Sequence, residues 1–254
     1  MTRVIKIGGR PQSDPSLAAL VAEAWDAMSG AIVLVHGGGD EVSALQHALG
    51  VAPQFVGGRR VTSAEDIEIV RMALSGSANK RLVAALVREG VRAVGLSGED
   101  ASLIAATPVA PATLGHVGHP QRINASLLWH LLDGGYVPVI SPVSRNIGTE
   151  LGRALNVNGD DAASAIAVAL SADELLLVSD VEGVFIDGAP VSRLDPATAR
   201  RLIADGTAKG GMAAKLEAAL SALDGGVKRV RVSDLPAITQ LDRGTLLTQD
   251  GGIA

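Results

Sequence analysis

Cysteine is absent from the 254 residues of this chain. Disulfide bridges, thiolate zinc sites, iron–sulfur clusters and cysteine nucleophiles are therefore excluded. No apolar run approaches the roughly 20 residues that a membrane-spanning helix needs, and no repeat of solenoid period is visible. These absences predict a cytoplasmic protein that has no membrane partner.

Aromatic residues are scarce, since the chain has two Trp, two Phe and one Tyr. Hydrophobic residues nevertheless make up 47% of the sequence. The core must therefore be aliphatic, as the cores of parallel α/β sheets usually are. The formal net charge of −5 argues against nucleic acid as the main partner.

Glycine, in contrast, recurs in pairs and triplets next to apolar runs and lysines. The segments are Val4-Ile5-Lys6-Ile7-Gly8-Gly9, Ile32-Val33-Leu34-Val35-His36-Gly37-Gly38-Gly39 and Lys209-Gly210-Gly211-Met212, the last opening a helix that carries Lys215. Aliphatic runs of this length predict buried strands. Glycine behind a strand lets backbone N–H groups approach a ligand, and a following helix N-terminus attracts anions. Together with the lysines, these loops predict phosphoryl transfer.

Strand and helix patterns alternate along the chain, which predicts a largely parallel sheet covered by helices on both faces. The predicted strands are 3–7, 31–36, 93–96, 136–141 (ending at Pro142), 174–178 and 229–232. The predicted helices are 15–28, 41–49, one capped by Ser63, 78–89, 124–133, 160–170, 196–205 and 211–223. We expect a hairpin at 54–62, a hairpin or lid at 107–122 and an irregular stretch at 143–157. Ligands on such sheets bind at the carboxyl ends of the strands.

The His36-Gly37-Gly38-Gly39 segment also resembles the oxyanion loop of lipase-like hydrolases. A hydrolase needs a G-x-S-x-G elbow, and the nearest candidate, residues 95–99, has Glu99 at its fifth position. A dinucleotide fingerprint fails because the third glycine is missing, and no Walker A sequence is present. We therefore interpret the segment as a phosphate-facing turn and His36 as a hydrogen-bonded loop residue.

Each charged candidate also has an ordinary structural explanation. Lys6 at a strand end needs an anion or a cleft unless the strand frays there. Arg60 could bind a carboxylate or simply be solvated. Asp160, after Asn156-Val157-Asn158-Gly159, could orient two lysines or only cap a helix. Lys215 could be a surface residue, although its neighbours indicate an amphipathic helix.

In chain order, these segments resemble the amino acid kinase superfamily and, within it, the acetylglutamate kinases. The matching segments cover most of the chain and are Lys6-Ile7-Gly8-Gly9, Val35-His36-Gly37-Gly38-Gly39, Gly58-Arg59-Arg60-Val61-Thr62, Ser77-Ala78-Asn79-Lys80, Leu114-Gly115-His116-Val117-Gly118, Asn156-Val157-Asn158-Gly159-Asp160, Ser179-Asp180-Val181-Glu182-Gly183-Val184 and Gly210-Gly211-Met212-Ala213-Ala214-Lys215. The resemblance implies a three-layer αβα sandwich with a central, mainly parallel sheet. It implies one domain over 1–254, with an N-terminal lobe of about 1–155 for substrate binding and dimerisation and a C-terminal lobe of about 156–254 for ATP.

The resemblance also implies a role for each matching residue. The catalytic set would be Lys6, Lys215, Asp160, Gly9 and Gly38. The acylated glutamate would contact Gly38, Gly39, Arg60, Asn156 and Asn158. ATP would contact Lys6, Gly8, Ser179, Asp180, Val181, Gly183, Val184, Lys209, Gly210, Gly211, Met212 and Lys215. Magnesium would be held by ATP phosphates and water, with no metal ligand from the chain.

Some features depart from the family pattern and leave alternatives open. Gly159 stands where acetylglutamate kinases usually have alanine, and a carrier-linked aminoadipate kinase group has a similar Gly-Asp. N-succinylglutamate is a further candidate substrate, and a non-catalytic nucleotide-binding protein on the same fold is the non-enzyme alternative. The chain begins almost directly with its first strand, whereas arginine-inhibited hexameric relatives have an extra N-terminal helix, so we expect a homodimer.

Overall fold

The computed structural model describes residues 1–27, 31–148 and 153–249. Within them the strands are β1 Arg3–Ile7, β2 Ile32–His36, β3 Phe55–Val56, β4 Arg59–Arg60, β5 Ala93–Gly98, β6 Ile104–Pro108, β7 Val117–Ile123, β8 Val137–Asn146, β9 Ala154–Val157, β10 Glu174–Val178, β11 Phe185–Ile186, β12 Ala189–Pro190, β13 Arg193–Leu194, β14 Val230–Ser233 and β15 Thr245–Leu247. The α-helices are α1 Leu17–Ala27, α2 Gly39–Ala48, α3 Asp66–Arg71, α4 Asn79–Arg88, α5 Pro111–Leu114, α6 Ala125–Asp133, α7 Gly159–Ala169, α8 Pro196–Ala204 and α9 Gly210–Asp224. A π-helical segment, Met72–Ala78, joins α3 to α4.

An 11-stranded sheet forms the middle of the described structure. Its strand order is β13-β15-β14-β10-β1-β2-β8-β6-β7-β9, with β5 also paired to β8. The central strands β14, β10, β1, β2 and β8 run parallel, while the β14–β15 and β6–β7 pairs are antiparallel. The segments that follow β1, β2 and β10 therefore emerge at one edge of the sheet.

Helices cover both faces of this sheet, because alternate side chains of each strand point to opposite faces. On β1, Val4 packs into the core that contains α7 and α9, whereas Ile5 and Ile7 pack into the core that contains α1 and α4. Lys6 has the parity of Val4 and so lies on the α7 and α9 face. The predicted three-layer, mainly parallel αβα fold is confirmed; the division into lobes at about residue 155 stays a prediction.

The prediction that a strand ends at Pro142 was wrong, and so was the irregular stretch at 143–157. Strand β8 continues through Pro142 to Asn146 and pairs with β9, while residues 149–152 of that stretch lie outside the described part. Proline removes one ladder donor. Here the register shifts between Ser97 and Gly98 of β5, so that Gly98 aligns with Ser144. The irregularity skips the proline and lets the strand continue.

Most other predicted elements are present with ends shifted by one or two residues. Strands β6 and β7 form the antiparallel hairpin expected at 107–122, with α5 at its turn. Ser63 Oγ accepts the Asp66 backbone N–H, and Asp66 Oδ2 accepts the Ser63 backbone N–H, which confirms the expected cap. The first predicted helix begins at Leu17, and Met28, its predicted end, lies outside the described residues. None of the helices within residues 1–27, 31–148 and 153–249 has the length and hydrophobicity of a membrane-spanning segment.

Candidate active site

Two lysines meet one aspartate where β1, α7 and α9 come together. Lys6 Nζ lies 2.9 Å from Asp160 Oδ1, and Lys215 Nζ lies 3.3 Å from Asp160 Oδ2. The three side chains are at most 10% exposed. Lys6 comes from the strand, Asp160 from the first turn of α7 and Lys215 from the second turn of α9. Two cations therefore share one buried carboxylate, which leaves the cluster with a net positive charge.

The electrostatics of this cluster favour a bound anion. Burial opposes ionisation of Asp160, but the attraction of Lys6 and Lys215 outweighs burial, and the pKa of the carboxyl lies below its usual value of 3.8. Burial, followed by the nearby charge of Lys6, lowers the pKa of Lys215 below 10.5. An anion placed between the lysines would relieve their repulsion. A transferring phosphoryl group is such an anion.

The glycine loops after β1 and β2 lie beside the cluster and line a cleft of about 250 Å³. A Cβ on Gly8 would overlap Lys6 Nζ, so any larger residue there would displace the ammonium group. Gly38 has a φ of +143°, and a Cβ there would lie 2.7 Å from Leu74 Cδ2. Helix α2 begins at Gly39, with Gly38 as its N-cap. The cleft thus combines a helix N-terminus with closely approaching backbone, as anion sites do.

His36 ends β2 with a fully buried side chain. Its Nδ1 lies 2.8 Å from the Gly37 carbonyl, and its Nε2 lies 3.1 Å from Asn79 Nδ2. Burial lowers the pKa of His36 to about 4, so the ring is neutral, and its partners favour a proton on Nδ1. Asn79 also donates to the Val139 carbonyl at 2.9 Å. These contacts confirm His36 as a hydrogen-bonded residue that fixes the glycine loop, and they give Asn79 a role that sequence reasoning missed.

Arg60 lies on the cleft wall, but its guanidinium already has partners. It donates to Gly39 O and Ser43 Oγ, each at 2.8 Å, and to Gln46 Oε1. Its charge lies 4.8 Å from the centre of the Phe55 ring. Arg60 is therefore neither a simple solvated arginine nor a freely available donor: it ties the β3–β4 hairpin to helix α2.

The two asparagines of the segment before α7 also line the cleft. Asn156 Nδ2 donates to Thr62 Oγ1 at 3.1 Å. Asn158 Oδ1 accepts the Asp160 N–H at 2.7 Å and caps α7. Because Asn158 supplies this cap, Asp160 is free to contact the lysines rather than acting as the cap itself.

The residues assigned to ATP lie along two further segments of the same sheet edge. Ser179 to Gly183 follow β10, and Asp180 is close enough to Lys215 to act on its pKa. Val184 is the exception: its side chain is buried in the core, and its N–H donates to Thr245 Oγ1 at 2.8 Å.

The second of these segments is the start of α9. Lys209 is its N-cap, and Gly210, Gly211 and Met212 form its first turn. The described residues contain no group of three or more His, Asp or Glu side chains that could hold a metal ion.

Comparisons with known proteins identify the family of this chain. The model of the amino acid kinase family matches residues 1–234. The chain belongs to the amino acid kinase family. A protein named acetylglutamate kinase from Roseiflexus castenholzii is 42% identical over 99% of this chain and 96% of its own. The resemblance drawn from the sequence motifs is thereby confirmed.

Two solved structures have a fold similar to that of this chain. The structure of smu.665 from Streptococcus mutans has a TM-score of 0.87 and 30% identity, and the match covers 98% of this chain and 99% of that one. Carbamate kinase from Giardia lamblia bound to AMP-PNP has a TM-score of 0.74 at 17% identity, covering 97% and 98% of the two chains. At that identity the second match shows the shared fold alone.

Proposed function

We propose that this member of the amino acid kinase family is an ATP-dependent acetylglutamate kinase. It would transfer the γ-phosphoryl group of ATP to the side-chain carboxylate of N-acetyl-L-glutamate, giving N-acetylglutamyl 5-phosphate and ADP, a reaction of arginine biosynthesis. The observation that carries the proposal is the buried Lys6–Asp160–Lys215 cluster beside two glycine loops. The full-length similarity to proteins named acetylglutamate kinase supports this choice of substrate.

The lysine cluster would stabilise the transferring group. Lys6 and Lys215 would flank the phosphoryl group and neutralise the charge on its oxygens, while Asp160 holds both ammonium groups in place. The attacking carboxylate is already ionised at neutral pH, so the reaction needs no general base. Catalysis would then consist of positioning and charge stabilisation.

The cleft walls would hold the acylated amino acid. Gly8, Gly9, Gly38 and Gly39 would direct backbone N–H groups at phosphoryl and carboxylate oxygens. Arg60 would bind the α-carboxylate through N–H groups that remain beyond its bonds to α2, and this placement would fix the carboxylate against the start of that helix. Asn156 and Asn158 would position the rest of the substrate.

The nucleotide would occupy the sheet edge beside α9. The segment from Ser179 to Val184 and the first turn of α9, Lys209 to Met212, would line its pocket, and the N-terminus of that helix suits a phosphate. A Cβ on Gly211 would meet nothing within 4 Å, so the backbone there is open to a ligand. Mg²⁺ would be bound by ATP phosphates and water, because Mg²⁺ in kinases needs few protein ligands. We further propose a homodimer, which light scattering of the purified protein would test.

Hydroxylamine trapping tests the reaction and the acyl group together. The protein would be incubated with MgATP and, in parallel, N-acetylglutamate, N-succinylglutamate and free glutamate. An acyl hydroxamate formed with N-acetylglutamate, in equal amount to ADP, is the expected result. A preference for N-succinylglutamate would identify the succinylated compound as the substrate. Silence with all three, alongside measurable ATP binding, would refute the proposed reaction and favour the non-catalytic alternative.

A further inference from the structure

Arg59 lies between two cavities, and sequence reasoning gave it no role. Its side chain, from strand β4, lines both the substrate cleft and a second cavity of about 510 Å³ between β7, α7 and α9. Arg59 precedes Arg60 on that strand, so the two side chains point to opposite sides of the β3–β4 hairpin. Arg60 is bonded to helix α2, whereas Arg59 extends toward α7.

The Arg59 guanidinium is only loosely paired. Its Nη2 lies 3.6 Å from Asp161 Oδ2, which is beyond hydrogen-bond distance. Its Nη1 is buried and, among the described residues, has no hydrogen-bond partner, and Asp161 Oδ2 has none either. Burial also raises the pKa of Asp161 above its usual value. A buried N–H of a charged group without an acceptor is costly, and a ligand oxygen would remove that cost.

An acylated and a free amino acid differ in the group that they would present to Arg59. N-acetylglutamate has a neutral amide with an acyl carbonyl oxygen, which accepts hydrogen bonds. Free glutamate has an ammonium group in the same place, and the guanidinium would repel it. A site that pairs a buried polar group with one substrate rejects the analogue that lacks the partner more strongly than apolar contacts can.

We propose that Arg59 selects the acylated substrate by donating a hydrogen bond from Nη1 to the acyl carbonyl oxygen and by repelling the ammonium group of free glutamate. This inference rests on the proposed function and names the residue that reads the acyl group. Asp161 tunes the selection, because its carboxylate partly offsets the charge of Arg59.

The test compares kcat/KM for N-acetylglutamate and for L-glutamate in the wild type and in Arg59→Met. Methionine retains the flexible apolar stem but removes the charge and the donors. We expect kcat/KM for N-acetylglutamate to fall roughly tenfold to a hundredfold, the range for a hydrogen bond to a charged donor, while kcat/KM for glutamate rises. Arg122→Met is the matched control, because Arg122 lines the second cavity and is not part of the cleft wall. It should leave the ratio of the two values unchanged.

Two further variants keep the test decisive if Arg59→Met folds poorly. Arg59→Lys retains the charge without the planar donor pair, so it should lose activity on N-acetylglutamate and still reject glutamate. Asp161→Asn removes the counter-charge and should increase the rejection of glutamate. An unchanged ratio in folded Arg59 variants would overturn this inference alone. A wild type that phosphorylates neither substrate would overturn the proposed function and this inference with it.

Discussion

Replacing Lys215 with methionine should separate catalysis from stability. The Lys215 ammonium lies 3.3 Å from Asp160 Oδ2 in a cluster that also contains Lys6. Methionine fills nearly the same volume but carries no charge. If Lys215 stabilises the phosphoryl group mainly in the transition state, its loss should lower kcat about 10²- to 10³-fold, the effect of removing one preorganised electrostatic donor. The KM for N-acetylglutamate should change little.

Stability should respond in the opposite direction. Two lysines and one aspartate leave a net buried charge, and burial together with Lys6 already lowers the pKa of Lys215. The substitution leaves Lys6 and Asp160 as a neutral pair at 2.9 Å. Replacing a whole buried ion pair or triad with well-packed apolar residues is often neutral or stabilising by about 1–4 kcal/mol, and removing only the surplus cation should act in the same direction because it leaves no uncompensated charge. At about 2–4 °C per kcal/mol for a chain of this size, Tm should stay level or rise by several degrees.

Thermal unfolding without ligand and steady-state hydroxamate assays would measure the two effects. Lys228→Met is the control, because Lys228 is 71% exposed and pairs with Asp173 away from the cleft. Wild-type activity should also fall at alkaline pH, since Lys215 must be protonated and its pKa lies below 10.5. The alkaline fall should begin at a lower pH than an unperturbed lysine would give. A Lys215→Met protein with full activity, or one whose Tm drops by many degrees, would refute this reasoning.

The remaining predictions concern binding, loop geometry and folding. Arg60→Ala should raise KM for N-acetylglutamate about tenfold or more with a smaller change in kcat, which initial-rate kinetics would show; an unchanged KM would contradict the carboxylate role. Gly38→Ala forces a Cβ to 2.7 Å from Leu74 Cδ2 at positive φ, so kcat should fall while urea unfolding shows about 1–3 kcal/mol lost. Glu174→Gln removes the negative charge that pairs with buried Arg3 and Arg231, so unfolding should require about 3–5 kcal/mol less; a loss below about 1 kcal/mol would contradict this.

The sequence was sufficient to predict the strands of the central sheet and the edge where ligand-binding segments meet. Runs such as Val4 to Ile7 are aliphatic, short and followed by glycine, so local pattern and tertiary position agree. The lysine cluster could be anticipated because a lysine inside such a run needs a partner. The sequence could not show on which face of the sheet the Lys6 side chain lies, because this depends on register. In the structure Lys6 lies on the face that α7 and α9 cover, as Val4 does.

The failures have a common physical cause in contacts made between distant segments. Judged from the neighbouring sequence alone, Pro142 should end the strand. The pairing register between β5 and β8 shifts at Gly98, however, and β8 continues past the proline. Arg60 lies on the cleft wall, but the acceptors that α2 supplies for it could not be predicted from its own segment. The sequence did not indicate a role for Arg59, because that role depends on Asp161, which is about a hundred residues away in sequence and close only after folding.

Two buried ionic clusters involve opposite ends of strand β1, and comparing them shows which one can bind a ligand. Glu174 lies between Arg3 and Arg231, so this cluster also has two cations and one anion. There, the guanidinium groups also donate to the backbone carbonyls of Ile238, Ala237 and Arg243, and their donors are used within the fold.

At the other end of β1, each lysine ammonium has three donors, and within the described residues Asp160 is the carboxylate that both contact. Lys6 also lines the cleft beside the two glycine loops. Equal charge at the two clusters therefore has different consequences. The Arg3–Glu174–Arg231 cluster is satisfied by hydrogen bonds within the fold and stabilises the sheet. The Lys6–Asp160–Lys215 cluster retains unused donors and a net positive charge, which a phosphoryl group would match.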